Sequence, residues 1–260
     1  AGARRLAVAT CEEGEELRAA GISAPIHILG ASLPEEVGLA LALDLTLAIH
    51  EIGMARIISL EAMRQNKIAK VHLKIDTGMG RLGILPADAP AAAQQIARFP
   101  GLRLEGVFMH FAEASDEAYS RYQISQFHEA QRHLAEANVH VPLRHAANSV
   151  ASILYPDARF DIIRPGAGIY GYHSPAWVGK LFPLEPVLTW KCLVVQIKDY
   201  PEGSHLGYNR TFTTRRPTRV AVLPVGYADG YARSISNRGW VLIRGRRAPV
   251  VGMISMDYTM

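Results

Sequence analysis

The residues with the clearest chemical potential lie on the strand-like segment VHLKIDTG, which begins at Val71, and in the loop that follows it. Side chains of an extended chain alternate between two faces, so His72, Lys74 and Asp76 share one face and apolar residues share the other. A row of ionisable groups inside a barrel is unfavourable unless the groups are paired or functional. The following loop, TGMGRLG, contains Arg81, and active-site groups collect in loops at the C-terminal ends of barrel strands. This arrangement favours an active site over the alternative, a solvated edge strand with one polar face.

Two further loops have the composition of an anion site. HAANS ends in Ser149, which offers a hydroxyl, and RPGAGIYG contains Gly166 and Ala167, which offer unshielded backbone N–H groups. Barrels often hold a phosphate between the loops that follow strands seven and eight, and these two loops occur in that order. His110 and His145 also lie at the ends of strand-like runs, where a functional role and a structural role both remain open.

Alternating strands and helices must position these loops. Between Leu6 and Gly171, apolar strand-like runs alternate with amphipathic stretches, and the runs are Leu6–Thr10, Ile26–Gly30, Leu45–His50, Val71–Asp76, Leu104–Phe111, Leu143–Ala146 and Asp161–Arg164. Thr10 and Glu13 have the spacing of a helix capping box. Repeated strand–helix units predict a parallel sheet with right-handed crossovers. Seven units predict an α/β fold of the TIM-type (β/α)8 barrel with its first strand missing, and an open doubly wound sheet remains the alternative.

The pattern changes after Tyr172. Three segments rich in Val, Ile and aromatic residues have no long helical period, and they are Val187–Tyr200, Thr218–Val225 and Trp240–Ile254. We therefore predict two domains, an incomplete barrel over residues 1–172 and a mostly antiparallel β domain over residues 173–260. The sequence has no initiator Met and ends within an apolar strand-like pattern, so we expect both domains to continue beyond it.

Composition narrows the class of protein. Hydrophobic residues make up 49% of the 260 residues and charged residues 20%, with a net charge of +4, which is typical of a folded globular protein. The cluster Arg244, Arg246 and Arg247 lies in a predicted hairpin turn, and this favours a solvated turn over a nucleic-acid surface. Cys11 and Cys192 have no metal or redox spacing and indicate a reducing compartment. No apolar run reaches the roughly 18 residues of a membrane span. We expect a cytoplasmic protein without metal, nucleic-acid or membrane partners.

Seven segments resemble the alanine racemase family, in the order and at the spacing of that family. They are HLKIDTGMGRLG, LEGVFMHF, HAANSVAS, IIRPGAGIYG, LGYNRTF, PVGYADGY and APVVGMISMD. The resemblance covers essentially the whole chain. It implies an isomerase that interconverts L- and D-alanine, supplies D-alanine for peptidoglycan and works as a homodimer. It also implies that the barrel holds pyridoxal 5'-phosphate and that the β domain of the partner subunit completes the site.

The resemblance assigns most cofactor contacts to the barrel. It implies that the three residues of the anion site bind phosphate, that His110 lies against the pyridine ring and that Arg164 meets the pyridine nitrogen. A guanidinium donates hydrogen bonds without releasing its proton, so the ring nitrogen stays unprotonated and transamination is restrained. His145 is expected to support Arg164 from behind. No segment of this sequence matches the lysine that carries the cofactor, and Lys74 does not take its place.

The resemblance also implies the groups that act on the substrate. Tyr208, in LGYNRTF, resembles the tyrosine base that works across the dimer, opposite the cofactor lysine. An unperturbed tyrosine pKa is near 10, so this phenol must be hydrogen-bonded or have its pKa lowered to act at neutral pH. Arg81 resembles the arginine that holds the substrate carboxylate and the phenol. Lys74 resembles a lysine that is often carbamylated and can then pair with Arg81.

The remaining matches concern the substrate entrance and its range. Tyr227 and Met256 resemble residues that line the entrance and the carboxylate pocket, with Asp257 as a structural neighbour. Asn209 and Arg210 replace small residues common in the family, and the bulky cation leaves open a broader range that includes serine. Two other functions remain: a pyridoxal-phosphate barrel decarboxylase, which lacks the ADGY and SMD segments, and a non-catalytic pyridoxal-phosphate carrier, which ends with the barrel.

Overall fold

The computed structural model describes residues 2–172 and 175–260. By their internal contacts these form two compact units, Ala1–Val187 and Leu188–Met260. The division follows Val187, whereas the sequence pattern changes after Tyr172. Residues 173 and 174, where the predicted second domain begins, lie outside the described residues.

The first unit contains one sheet of seven parallel strands in sequence order. The strands are β1 (Leu6–Val8), β2 (Ile26–Ile28), β3 (Leu45–Ile49), β4 (Ala69–Lys74), β5 (Leu102–Phe108), β6 (Leu143–Asn148) and β7 (Ile162–Arg164). Each strand pairs in parallel with the next strand along the chain. The predicted strand–helix repeat is therefore confirmed.

Contacts across the interior show that this sheet curls into a nearly closed barrel. The ring of His27, on β2, lies 5.3 Å from the ring of Phe108 on β5 and 5.5 Å from that of His145 on β6. In a flat sheet, strands three positions apart are separated by about 14 Å. Only a curled sheet brings these side chains together, so the barrel is confirmed over the open doubly wound alternative.

Helices follow the strands along the chain. They are α1 (Cys11–Ala19), α2 (Val37–Ala42), α3 (Ile52–Arg64), α4 (Ala89–Arg98), α5 (Glu117–Glu136), α6 (Ser149–Leu154), α7 (Gly166–Ile169) and α8 (Val178–Leu181). Thr10 caps α1, because its side chain accepts a hydrogen bond from the backbone N–H of Glu13 at 3.3 Å. Among the described residues, no helix has the length and apolar character that crossing a membrane requires.

The alternation predicted for the fourth strand is present. Val71, Leu73 and Ile75 are fully buried in the apolar cluster between the sheet and the helices. His72 and Lys74 point to the opposite face and are also buried, with 2% and 3% of their surface exposed. The barrel interior therefore contains ionisable side chains away from bulk water, which requires each of them to be paired or to have a shifted pKa.

The second unit is built from short antiparallel strands. They are β8 (Gln196–Tyr200), β9 (His205–Leu206), β10 (Phe212–Thr213), β11 (Thr218–Val222), β12 (Trp240–Ile243) and β13 (Arg246–Pro249). β8 pairs with β11, β9 with β10 and β12 with β13, all antiparallel. The predicted hairpin turn is confirmed between β12 and β13, where Arg244 and Gly245 both have positive φ.

The segment Val187–Tyr200, predicted to belong to the β domain, forms a strand only at its end. Only Gln196–Tyr200 is a strand, and residues 188–195 have no regular secondary structure. Their apolar side chains Leu188, Trp190 and Leu193 are exposed. A strand needs a neighbour that pairs with its N–H and C=O groups, and the register of β8 with β11 begins at Gln196, just after Val195 N donates to Val222 O.

Candidate active site

The C-terminal ends of β5, β6 and β7 bring Arg164 and two of the predicted histidines together. Arg164 Nη1 donates to His145 Nδ1 at 2.7 Å, and Nη2 lies 3.4 Å from His110 Nδ1. Nη2 also donates to the backbone carbonyls of Met109 at 2.8 Å and Ala146 at 2.9 Å. These contacts hold the guanidinium in place, while its Nε–H has no hydrogen-bond partner among the described residues. Arg164 therefore keeps a donor for a further acceptor.

Burial determines the protonation states of Arg164, His110 and His145. Removal from water lowers the pKa of Arg164 to about 10, so the guanidinium remains protonated at neutral pH. Burial, helped by the charges of Arg164 and Lys74, lowers the pKa of His110 to about 4. Burial and the charge of Arg164 also lower the pKa of His145 well below its usual range. Both histidines are therefore neutral at pH 7 and can accept hydrogen bonds from Arg164.

The predicted anion site is assembled where α6 and α7 begin. Asn148 caps α6 through a hydrogen bond from Ala151 N to its Oδ1 at 2.9 Å, which places Ser149 as the first residue of that helix. The Ser149 hydroxyl accepts from Gly168 N at 3.0 Å, so it lies beside the first turn of α7. The N–H groups of Gly166 and Ala167 begin α7 and have no intrahelical acceptor. A hydroxyl and free amide donors at one place suit an anionic group such as a phosphate.

The glycine-rich loop after β4 is held by Asp76. Its Oδ1 accepts hydrogen bonds from Gly78 N and Gly80 N, each at 3.0 Å, and so shapes the loop that presents the exposed Arg81. Lys74 lies just inside this loop, with Nζ 5.8 Å from the centre of the Phe108 ring. Burial, followed by the charge of Arg81, lowers the pKa of Lys74. A larger fraction of this amine is therefore neutral than for an exposed lysine.

In the second unit, two loops bring Tyr227 and Met256 together. Tyr227 N donates to the carbonyl of Ser255 at 3.1 Å, and the next residue, Ala228, donates to that of Met256 at 3.0 Å. A Cβ at Gly226 would overlap both carbonyl oxygens, so this approach requires glycine. Tyr227 and Met256 are 46% and 55% exposed, and the exposed Asp257 follows directly.

Tyr208 presents its phenol to the outside of the second unit. It is 68% exposed and lies on the wall of an open cavity of about 500 Å³, together with Met253, Tyr258 and Met260. The backbone around it is left-handed, with φ of 72° at Gly207 and 58° at Asn209. The phenolic oxygen has no hydrogen-bond partner among the described residues and is available to a group outside this unit.

The sequence analysis missed a histidine cluster in the barrel interior. The rings of His27 and His72 are tilted by 33° with their centres 4.4 Å apart, and His145 lies 5.0 Å from His72. Glu105 contacts His72 with Oε2 at 3.3 Å from Nε2. A usable signal was present, because the same alternation that turns His72 inward applies to the IHI strand containing His27. Nothing local indicated Glu105.

Comparison with known proteins gives a consistent result. The family described as "Alanine racemase, N-terminal domain" matches residues 1–174, and "Alanine racemase, C-terminal domain" matches residues 187–260. An alanine racemase of Symbiobacterium thermophilum is 43% identical over 262 residues, covering 100% of this chain and 70% of that protein. One of Halothermothrix orenii is 40% identical over 262 residues, covering 100% of this chain and 69% of that protein.

Solved structures agree with these sequence matches. The alanine racemase of Streptomyces coelicolor A3(2) superposes with a TM-score of 0.92 at 30% identity, covering 99% of this chain and 70% of that one. That of Clostridium difficile 630 superposes with a TM-score of 0.90 at 33% identity, covering 98% of this chain and 68% of that one. The likeness thus extends over both units.

Proposed function

Because this chain belongs to the alanine racemase family, the isomerases that interconvert L- and D-alanine, we propose that it moves the alanine α-proton between two bases on bound pyridoxal 5'-phosphate. The match of residues 187–260 to the C-terminal racemase domain counts against the decarboxylase and the carrier. The observation that supports the proposal most is the half-buried Arg164, held by His145 and two backbone carbonyls, with its Nε–H left without a partner among the described residues.

The donor set of the barrel fits this cofactor. Arg164 offers a hydrogen bond to a ring nitrogen, and the neutral His110 offers a flat surface to a ring. Ser149 and the first amides of α7 offer donors to a phosphate. When bound, the cofactor withdraws electrons from the substrate's α-carbon and so makes its proton acidic.

Arg164 controls which reaction follows. With a pKa of about 10 it remains protonated at neutral pH, so it donates a hydrogen bond without releasing its proton. A ring nitrogen that meets such a donor stays unprotonated and withdraws fewer electrons from the reacting carbon. Arg164 would in this way favour simple return of the proton, which is racemisation, over transamination.

Tyr208 would act as the base on one face of the substrate. Its exposed phenol lies on the second unit, and in a homodimer it would serve the barrel of the partner subunit. The second base would be the lysine that carries the cofactor in this family, which no segment of this sequence matches. Arg81 would hold the substrate carboxylate and the phenol. The lowered pKa of Lys74 favours the neutral amine that carbamylation requires, and the resulting anion would pair with Arg81.

The substrate entrance would be formed by Tyr227 and Met256, with Asp257 supporting their loop. Alanine is the substrate that the family implies, and its D-enantiomer would supply peptidoglycan synthesis. Arg210, a bulky cation close to Tyr208, is the position at which we expect the range to extend to polar amino acids such as serine.

Exchange of the α-proton for deuterium tests the two-base proposal. In the intact protein loaded with pyridoxal phosphate, Tyr208→Phe is expected to slow exchange from one enantiomer of alanine by about 10²-fold or more, the usual contribution of a general base. Exchange from the other enantiomer should change much less. Tyr258→Phe is a matched control, because Tyr258 is also an exposed phenol that lines the same cavity. Equal losses from the two enantiomers would remove Tyr208 from this role.

A further inference from the structure

A chain of hydrogen bonds crosses the interior of the barrel behind Arg164. Arg164 Nη1 contacts His145 Nδ1 at 2.7 Å, and His145 Nε2 contacts His72 Nδ1 at 2.8 Å. His72 Nε2 contacts Glu105 Oε2 at 3.3 Å, and Arg5 Nη1 contacts the same oxygen at 3.1 Å. We call these contacts from Arg164 to Glu105 the interior chain.

The groups at the two ends of the interior chain determine which atom donates in each of its hydrogen bonds. A guanidinium has only donors, so His145 Nδ1 must accept from Arg164. A neutral imidazole has one N–H, which for His145 is then on Nε2 and donates to His72 Nδ1. The same reasoning puts the His72 proton on Nε2, where it donates to the Glu105 carboxylate. Both tautomers thus follow from the arginine at one end and the carboxylate at the other.

Burial and charge agree with this assignment. His72 and His145 are each 2% exposed, and burial lowers the pKa of both, so both rings are neutral. The hydrogen bond from His72 is the largest cause that lowers the pKa of Glu105, to about 2, so this carboxyl is ionised. Arg164 contacts no carboxylate among the described residues. Two polarised imidazoles therefore connect this half-buried cation to the negative charge of Glu105.

The backbone has an irregularity at the point where Glu105 joins the interior chain. In the pairing of β4 with β5, Val71 is opposite Leu104 and His72 is opposite Gly106, so Glu105 is the extra residue of a bulge. A bulge re-aims side chains relative to the regular alternation of a strand. The bulge explains how Glu105 reaches His72.

A metal ion is the other occupant to consider for this cluster. One ring nitrogen from each of His27, His72 and His145 lies within 4.8 Å of the others, and His27 Nε2 has no hydrogen-bond partner. A metal bound through the two facing nitrogens, His72 Nδ1 and His145 Nε2, would need a lone pair on each, yet these atoms lie 2.8 Å apart and share a proton. The proton of His145 would then lie on Nδ1, facing Arg164. The neighbouring guanidinium therefore favours the hydrogen-bond chain over a metal.

We propose that Glu105 and His72 are positioning residues for Arg164, which act by holding His145 in the tautomer that accepts from the guanidinium. They would act through His145 and not on the substrate or the cofactor. Their effect on catalysis rests on the proposed function, whereas the tautomers themselves do not. The interior chain keeps the orientation of Arg164 and thus its hydrogen bond to a ring nitrogen.

Nitrogen-15 NMR of the histidine rings tests the tautomers directly, in the intact protein loaded with pyridoxal phosphate. We expect His72 and His145 to be neutral with the proton on Nε2 in the range from about pH 7 to pH 8. In Glu105→Gln, which keeps the size of the side chain but removes its charge, the His72 signal should shift and a second tautomer should appear. A proton on Nδ1 of His145 in the unsubstituted protein would overturn the proposal, whether or not the variant folds.

The ratio of racemisation to transamination supplies the second measurement. Glu105→Gln should lower this ratio about tenfold, the size expected for weakening a hydrogen bond that involves a charged group. Asp161→Asn is the matched control, since Asp161 forms an ion pair with Arg144 at 2.9 Å and has no contact with the interior chain. An unchanged ratio in Glu105→Gln would also overturn the proposal. If the histidines have the expected tautomers but the protein has no racemase activity, the proposed function is refuted and the hydrogen bonds of the interior chain are still supported.

Discussion

The close approach of Gly106 to His72 allows a quantitative test of how the barrel interior is built. A Cβ at Gly106 would lie 2.6 Å from both Cε1 and Nδ1 of His72 and 2.9 Å from Cγ. Real Cβ atoms do not come so close to ring atoms, so Gly106→Ala must displace the ring. His72 is buried and hydrogen-bonded at both ring nitrogens, so displacement breaks at least one of its two bonds.

The expected loss of stability in Gly106→Ala has two parts. Forcing an extra methyl into a packed interior costs about 1–3 kcal/mol. Leaving a buried polar atom without its partner costs about 1–3 kcal/mol more. Gly106→Ala should therefore lower the free energy of unfolding by about 2–6 kcal/mol, a large part of the 5–15 kcal/mol typical of a folded domain.

Urea unfolding of four proteins separates the clash from other causes. They are the unsubstituted protein, Gly106→Ala, His72→Ala and the double variant. Without the imidazole there is nothing to displace, so the cost of Gly106→Ala should fall below about 1 kcal/mol in the His72→Ala background. Gly53→Ala is the control, since its Cβ would meet only Glu51 at 3.8 Å and alanine favours the helix. Equal costs of Gly106→Ala in both backgrounds would refute the reasoning.

Two further predictions concern stability. Burial lowers the pKa of His27, His110 and His145, so the unfolded chain binds more protons below about pH 6.5 and the free energy of unfolding falls as pH drops toward 4. His50 and His72, whose pKa values burial also lowers, add to this uptake, so calorimetry in buffers of different ionisation enthalpy should detect uptake of at least about three protons on unfolding near pH 5. Uptake below one would contradict this. Thr10→Ala removes the hydrogen bond that caps α1 and should lower the free energy of unfolding, measured with urea, by about 1 kcal/mol. An unchanged urea midpoint would show that the cap does not stabilise the protein.

Local patterns in the sequence were sufficient to predict the strands of the barrel and most residues of the candidate site. The strand–helix repeat predicted all seven barrel strands, and the alternation at 71–76 predicted which side chains face inward. These features depend on residues a few positions apart, so they can be read without the fold. The order of the family segments indicated the remaining site residues, whose catalytic roles are still predictions.

The second unit shows where a local pattern misleads. Residues 188–195 have the composition of a strand, yet they are not one, because a strand exists only where a neighbouring strand accepts its hydrogen bonds. Composition can be read from the segment alone, whereas the partner depends on the rest of the fold. The segment Val187–Tyr200, predicted to be part of the β domain, therefore forms a strand only in β8.

The links of the interior chain beyond His145 were decided by the tertiary structure alone. His72 and His145 are 73 positions apart, and each by itself reads as an ordinary histidine. Glu105 lies among polar and apolar residues with no local signal, and only a bulge directs it to His72. Because the sheet curls, these strands face one interior, and exclusion of water there keeps the histidine rings neutral. Each neutral ring has one N–H, so the hydrogen bond at one nitrogen determines whether the other nitrogen donates or accepts. Neighbours along the sequence determine the elements of this protein, and neighbours across the barrel determine the protonation of its interior.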